Sequence, residues 1–205
     1  MIITIDGPSG VGKGTLSKLL AAELKYARLD VGLLFRAVAF MIEDLDFFEK
    51  NSTQAKERIL AMDVNAMSLN ELRSEIISQR ASKIATIPLV RTCLLDFQRK
   101  FMVDHKAGVI LDGRDGGTVV APWADKKIFL TASAQERAER RYKEFLEKGI
   151  STNFNDMLQN LKERDERDEN RVLDPLKPAE DALILDTTGL SIDQVFKKAL
   201  FFIKS

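Results

Sequence analysis

The chain has 205 residues, and 31 Lys and Arg balance 31 Asp and Glu to a formal net charge of zero, which excludes binding of nucleic-acid polymers or anionic membrane by bulk positive charge. A single cysteine, Cys93, and a single histidine, His105, exclude an internal disulfide and a Cys/His zinc site. With 45% hydrophobic and 30% charged residues, no apolar run of membrane-spanning length and no basic-then-apolar leader, the expectation is one soluble cytoplasmic domain, without a membrane partner and monomeric by default.

Residues 2–5 form a short β-branched run stopped by Asp6-Gly7-Pro8, the pattern of a buried strand entering a turn. Over residues 14–25, Leu16, Leu19, Leu20 and Leu24 recur on one helical face, and a second helix is expected over about 33–45. Residues 53–87 are helix-like with weaker periodicity and are assigned to a smaller lobe. Pro88 suits the first turn of a helix running to about His105, with Val90, Leu94, Phe97 and Phe101 as its expected core face. Cys93 beside that face reads as packing, and His105 next to Asp104 as a partner for the helix C-terminal dipole. Strands are expected at 109–111, 127–132 and 182–186. Ser133 with Glu136 predicts a capping box opening a helix that ends near Gly149, and Ser191 with Gln194 repeats the device before the last helix. Short apolar strands alternating with longer helices imply an α/β fold with a parallel sheet covered on both faces. Ligands of such sheets lie beyond the C-terminal strand ends, which directs attention to the loops after Ile5 and Leu111.

The first of these loops reads Gly7-Pro8-Ser9-Gly10-Val11-Gly12-Lys13-Gly14-Thr15, between a strand and a helix. Its glycines let successive N–H groups turn inward at a helix N-terminus, the arrangement that cradles phosphates. Lys13 is placed to bridge the β- and γ-phosphates of a nucleoside triphosphate, and the Thr15 hydroxyl to reach a magnesium ion. The general pattern has Ser or Thr directly after the lysine, where this chain has Gly14. Neither an Asn-Lys-x-Asp guanine motif nor a Leu-Ser-Gly-Gly-Gln transporter signature is present, and arginines follow the loop in number. Phosphoryl transfer between two polyanions needs such cations to hold both substrates and stabilise the transferred group. Arg36 falls on the first turns of the second helix, and Arg114, in Asp112-Gly113-Arg114-Asp115, lies at a strand end. On a helix, Arg164, Arg167, Asp168 and Arg171 share one face, although spacing alone favours a solvated, ion-paired surface for them. Arg140 and Arg141 are placed as part of a lid.

The phosphate loop, the segment from Asp30 to Arg36, Ile87-Pro88-Leu89-Val90-Arg91, Asp112-Gly113-Arg114-Asp115-Gly116-Gly117-Thr118-Val119-Val120 and the run from Lys162 to Arg171 together resemble the bacterial cytidylate kinases. The resemblance covers most of the chain. It implies a single P-loop kinase domain, with an acceptor-binding lobe at about 36–87 and a lid at about 140–171, that phosphorylates CMP and dCMP with ATP and Mg²⁺. Carried over by position, Lys13, Arg114 and Arg164 would be catalytic, and residues 7–15 with Arg140 would bind ATP. Ser82, Arg91 and Asp115 would read cytosine, Arg36 and Arg114 would hold the acceptor phosphate, and Arg164, Asp168 and Arg171 would surround its sugar and phosphates. Asp115 can accept from the cytosine exocyclic amine, a donor that uracil lacks. The chain departs from the family at Val31, where Ser or Thr is usual, at Phe35, where Tyr is common, and over 63–74, which lacks a hairpin pattern. A P-loop kinase of another nucleoside monophosphate or metabolite, and a slowly hydrolysing regulatory module, stay open as alternatives at this stage.

Overall fold

The computed structural model of the chain describes residues 1–42, 52–147 and 149–205, so the expected end of the second helix near residue 45 lies outside the described residues. The described residues fall into two compact units: Met1–Leu29 with His105–Ser205, and Asp30–Asp104.

In the first unit, β1 (Ile2–Asp6) is buried from Ile3 onward on both faces, which is why its sequence reads as an unbroken apolar run rather than an alternating one. It lies at the centre of a five-stranded sheet with β2 (Ala27–Asp30), β3 (Val109–Asp112), β4 (Lys126–Thr131) and β5 (Leu183–Asp186), in the order β2-β3-β1-β4-β5. β1 runs parallel to β3, with Ile3 opposite Ile110, and to β4, with Ile5 opposite Ile128; β4 is parallel to β5. β2 carries no sequence signal because Ala27-Arg28-Leu29-Asp30 holds two charges and no β-branched residue, and only Leu29 of it is buried. Its strand character comes from its place at the sheet edge.

Helix α1 (Lys13–Leu24) starts after Gly12, at φ 99°, and stops at Lys25, whose left-handed backbone returns an N–H to the Ala21 carbonyl. Leu16 and Leu20 of this helix meet Ile3, Ile5, Ile110, Ile128, Leu130 and Leu185 of the sheet, and Val195, Ala199 and Ile203 of the C-terminal helix, in one apolar core. The sequence places the last helix well. Ser191 and Gln194 form the complete reciprocal capping box that opens it. At Ser133 only half of the expected box forms: Glu136 N–H donates to the Ser133 hydroxyl at 3.2 Å, but the Glu136 carboxylate is drawn away to Arg140 and the Gly189 N–H.

The second unit is helical throughout its described residues: α2 (Val31–Met41), α3 (Ser52–Leu60), a 3₁₀ turn (Val64–Ala66), α4 (Leu69–Leu72), α5 (Glu75–Ile84) and α6 (Pro88–Asp104). α2 begins two residues earlier than its periodicity suggests because Asp30 caps it, accepting the Leu33 N–H at 3.0 Å. Ser68 and Ser74 cap α4 and α5 in the same way. On α6 the expected core face is only half right. Val90 and Leu94 are buried, but Phe97 is exposed, and Cys93, Gln98 and Met102 are buried in place of Phe97 and Phe101. The stripe follows strict i, i+4 spacing under α3, and Gln98 is tolerated on it by donating to the Leu94 carbonyl.

Within the first unit, the remaining described elements are the wide turn Gly116–Val120, α7 (Ala134–Glu147), α8 (Phe154–Asn170) and α9 (Ile192–Lys204). All but the last follow the C-terminal ends of β3 and β4, where the sheet rule places a ligand.

Candidate active site

The phosphate loop leaves β1 through Gly7, at φ 143°, where a Cβ would lie 2.3 Å from the Leu130 carbonyl oxygen; only glycine fits. Gly10 and Gly12, at φ 77° and 99°, complete the reversal into α1. Lys13, buried at the start of that helix, donates through Nζ to the carbonyls of Gly7 at 2.8 Å and Pro8 at 2.7 Å. An ammonium has three donors, and these two carbonyls take two of them. Burial, reinforced by the guanidinium groups of Arg114 and Arg164 and opposed by Asp112 and Asp6, holds the Lys13 ammonium well below its usual range. Three cations thus face one another at a helix N-terminus, an environment that a polyanionic ligand relieves.

The loop after β3 delivers the second part of the site. Arg114 donates from Nε to Asp168 Oδ2 at 3.1 Å, and Arg164 faces the same oxygen at 3.8 Å. Arg171 faces Asp115 at 3.7 Å and donates to the Asp174 carbonyl. α8 ends at Asn170, so Arg171 reaches the group from extended backbone and not from the shared helical face that its spacing implied. Asp165 takes that face together with Arg164 and Asp168, while Arg167 is half-buried. The burial of Arg164, Asp165, Asp168 and Arg171 overturns the solvated-surface reading of this stretch.

Three residues that the sequence did not single out hold the frame. Asp6, the last residue of β1, accepts the Gly116 N–H at 2.9 Å and the Gly117 N–H at 2.8 Å, and its carboxyl is pushed up to about 6 by burial. Its position at a strand end, directly before the phosphate loop, is the signal that would have found it. Arg137, on the first turn of α7, donates to the Ser9 carbonyl at 3.0 Å and pairs with Asp165 at 2.6 Å. Nothing in the sequence separates it from the other charges of that helix. Arg28 pairs with Asp112 at 2.8 Å, and Ser17 donates to the same carboxylate oxygen at 3.0 Å. Thr15 is exposed on the first turn of α1. Arg140 donates to Thr187, through the hydroxyl and the carbonyl, and to Glu136, while Arg141 stacks over Phe145. Thr187 in turn contacts the Val11 carbonyl of the phosphate loop, at 3.5 Å.

In the second unit Arg36 donates to the buried Ser78 hydroxyl at 3.3 Å, and its guanidinium lies over Gly32, where a Cβ would come within 3.3 Å of it. The Arg91 guanidinium sits 5.8 Å from the centre of the Phe35 ring and donates to the Ala85 carbonyl at 3.0 Å. Seating Arg91 therefore does not require a tyrosine hydroxyl at position 35. Ser82 is buried one turn beyond Ser78 on α5, and Val31 is buried at the start of α2. Cys93 is buried, and burial raises its thiol above the usual range.

A family model for cytidylate kinase matches residues 3–205 of the chain. The cytidylate kinase of Paramagnetospirillum magneticum is 46% identical over 206 residues, covering 100% of this chain and 98% of its own. Cytidylate kinase 1 of Haemophilus influenzae is 45% identical over 218 residues, covering 100% and 94% respectively. Among solved structures, an uncharacterized protein from Eubacterium ventriosum superimposes with a TM-score of 0.57 at 14% identity, covering 100% of this chain and 98% of that one, a likeness of fold alone.

Proposed function

This chain belongs to the cytidylate kinase family, and on that premise we propose that it transfers the γ-phosphoryl group of ATP to the phosphate of CMP or dCMP, giving ADP and the nucleoside diphosphate. The observation that carries the reading is the placing of Arg114 and Arg164 near Lys13 at the phosphate loop, where burial first and these guanidinium groups second depress the lysine. An acceptor phosphate oxygen attacks the γ-phosphorus in line as the bond to the β–γ bridging oxygen breaks. The acceptor is already anionic, so the step needs neither a general base nor a covalent intermediate. Lys13 and the loop amides of residues 7–15 hold the donor phosphates, with Arg140 on the donor side, and Arg114 and Arg164 stabilise charge on the moving group.

Arg36 and Arg114 are assigned to the acceptor phosphate, Arg164, Asp168 and Arg171 to its sugar and phosphates, and Ser82, Arg91 and Asp115 to the base. Residues 36–87 serve as the acceptor lobe and 140–171 as the lid of one kinase domain. Magnesium with ATP takes most of its ligands from phosphate and water and few from protein. The oxygen donors present fit it: Thr15 offers an exposed hydroxyl on the turn that carries Lys13, with the Asp112 carboxylate close by Gly14. Thr15 is the residue that would hold the ion, which would supply added charge stabilisation to the phosphates. A cytoplasmic monomer is part of the same proposal.

The test is ADP release measured with CMP, dCMP, UMP, AMP and no acceptor. Turnover with CMP and dCMP well above the others is expected. Hydrolysis independent of acceptor, or preference for AMP, overturns the reading.

A further inference from the structure

The residue that ties the phosphate loop to the loop carrying Arg114 and Asp115 is Asp6. It closes β1, is immediately followed by Gly7, and its two carboxylate oxygens accept one N–H each from Gly116 and Gly117. Those two amides directly follow Asp115 and open the wide turn in which Val120 and Ala121 bond back to Asp115 and Gly116. The approach is so close that a Cβ on Gly116 would lie 3.0 Å from Asp6 Oδ1, and one on Gly117 would lie 2.9 Å from Thr4 Oγ1. Here Gly116 is crowded by the Asp6 carboxylate and Gly117 by the Thr4 hydroxyl, and neither glycine has a positive φ. A carboxylate accepting two adjacent amides fixes both the position and the rotation of the turn.

We propose that Asp6 is a positioning residue for acceptor-base selectivity: through Gly116 and Gly117 it sets where the Asp115 carboxylate stands relative to the phosphate loop. The proposal rests on the functional reading above and deepens it. Asp6 acts through the turn, because both of its carboxylate oxygens are taken by the Gly116 and Gly117 amides. The charged groups that face it are Lys13 from α1, Asp115 from the turn and Lys127 from β4, which packs against Gly117. Lys127 is committed to Asp181 and the Pro122 carbonyl, so the charges acting on Asp6 are Asp115, which raises its carboxyl, and Lys13, which lowers it, both smaller than burial and the two amide bonds. Burial brings the Asp6 carboxyl up to about 6, and a protonated carboxyl turns an O–H toward one of the two amides and gives up that bond. Selectivity for CMP over UMP then weakens as pH falls through this range.

The experiment compares kcat/KM for CMP and UMP, and KM for ATP, in the wild type and in Asp6→Asn at pH 5.5 and 7.5. Titration of the acceptor phosphate affects both acceptors alike and cancels in their ratio. The wild type is expected to lose about threefold of its CMP preference at the lower pH, since about a quarter of Asp6 stays ionised there. Asp6→Asn is expected to show a CMP preference lowered about tenfold or more and indifferent to pH, with KM for ATP changed less than about threefold. An unchanged ratio in a folded Asp6→Asn overturns the proposal, as does an equal loss with both acceptors and with ATP, the mark of a merely structural role. If the variant does not fold, Asp6→Glu, which keeps the charge but displaces the two acceptors, takes its place, and an unchanged CMP-to-UMP ratio in it overturns the proposal. A wild type inactive toward CMP would instead overturn the functional reading.

Discussion

Lys13 occupies surroundings that disfavour its own charge: it is buried, holds two backbone carbonyls and faces two guanidinium groups. Such a site is tuned to an anion, because only added negative charge returns the ammonium to its ordinary strength. Replacing it, as in Lys13→Ala, is expected to lower kcat by about a thousandfold, roughly 4 kcal/mol of transition-state stabilisation, while the melting temperature changes little. Turnover within tenfold of the wild type would remove Lys13 from the chemistry. The residue was legible because its glycine frame is a sequence pattern. Asp6 and Arg137, equally buried beside it, belong to no pattern, since their partners lie 110 and 128 positions away.

At the scale of elements, the decisive contact is the one that ties α7 and α8 to the phosphate loop. Arg137 reaches from α7 to the Ser9 carbonyl and to Asp165 on α8, next to Arg164. Asp165 Oδ1 is buried without a hydrogen-bond partner among the described residues, so this carboxylate depends on the single arginine. Arg137→Met is therefore expected to cost about 3–5 kcal/mol, because it leaves a buried charge unpaired. Adding Asp165→Asn should recover a large part of that loss. Urea denaturation of the two variants checks both statements, and a single-variant loss below about 1 kcal/mol would contradict the arrangement. Helical spacing correctly put Arg164 and Asp168 on one face, yet it set Arg167 on that face in place of Asp165. The burial of neighbouring helices, and not the 3.6-residue period, chose between them.

For the whole molecule, the buried Asp6 shapes how stability depends on pH. Its folded value, about 6, lies above the ordinary 3.8, so the folded state holds the proton more tightly than the unfolded chain. Its contribution is complete below about pH 3.8 and is lost as pH rises through about 6; the difference corresponds to about 3 kcal/mol. The exposed carboxylates of Glu136, Asp181 and Asp186, held low by hydrogen bonds from Gly189, Lys127 and Thr188, act in the opposite sense and lose their contribution as pH falls. Subtracting the stability of Asp6→Asn from that of the wild type cancels them. That difference is expected to fall by about 3 kcal/mol between pH 3.5 and 7; a flat difference in chemical denaturation would show that Asp6 does not titrate there. The zero net charge is the sum of unlike regions, since Lys13, Arg114, Arg164 and Arg171 gather in the first unit around Asp115 and Asp168.

The sequence by itself determined the α/β class, the phosphate loop and the strand-end place of Arg114 and Asp115, because each is a local pattern whose physics acts within about ten residues, while the kinase reading rested on a resemblance spread over most of the chain. It missed β2, the stripe on α6 that prefers Gln98 to Phe97, and the start of α2 at the Asp30 cap. Only the tertiary structure decided which charges are buried and what each of them faces. That choice depends on low-dielectric surroundings and on partners brought together from distant parts of the chain, and neither is written in local spacing.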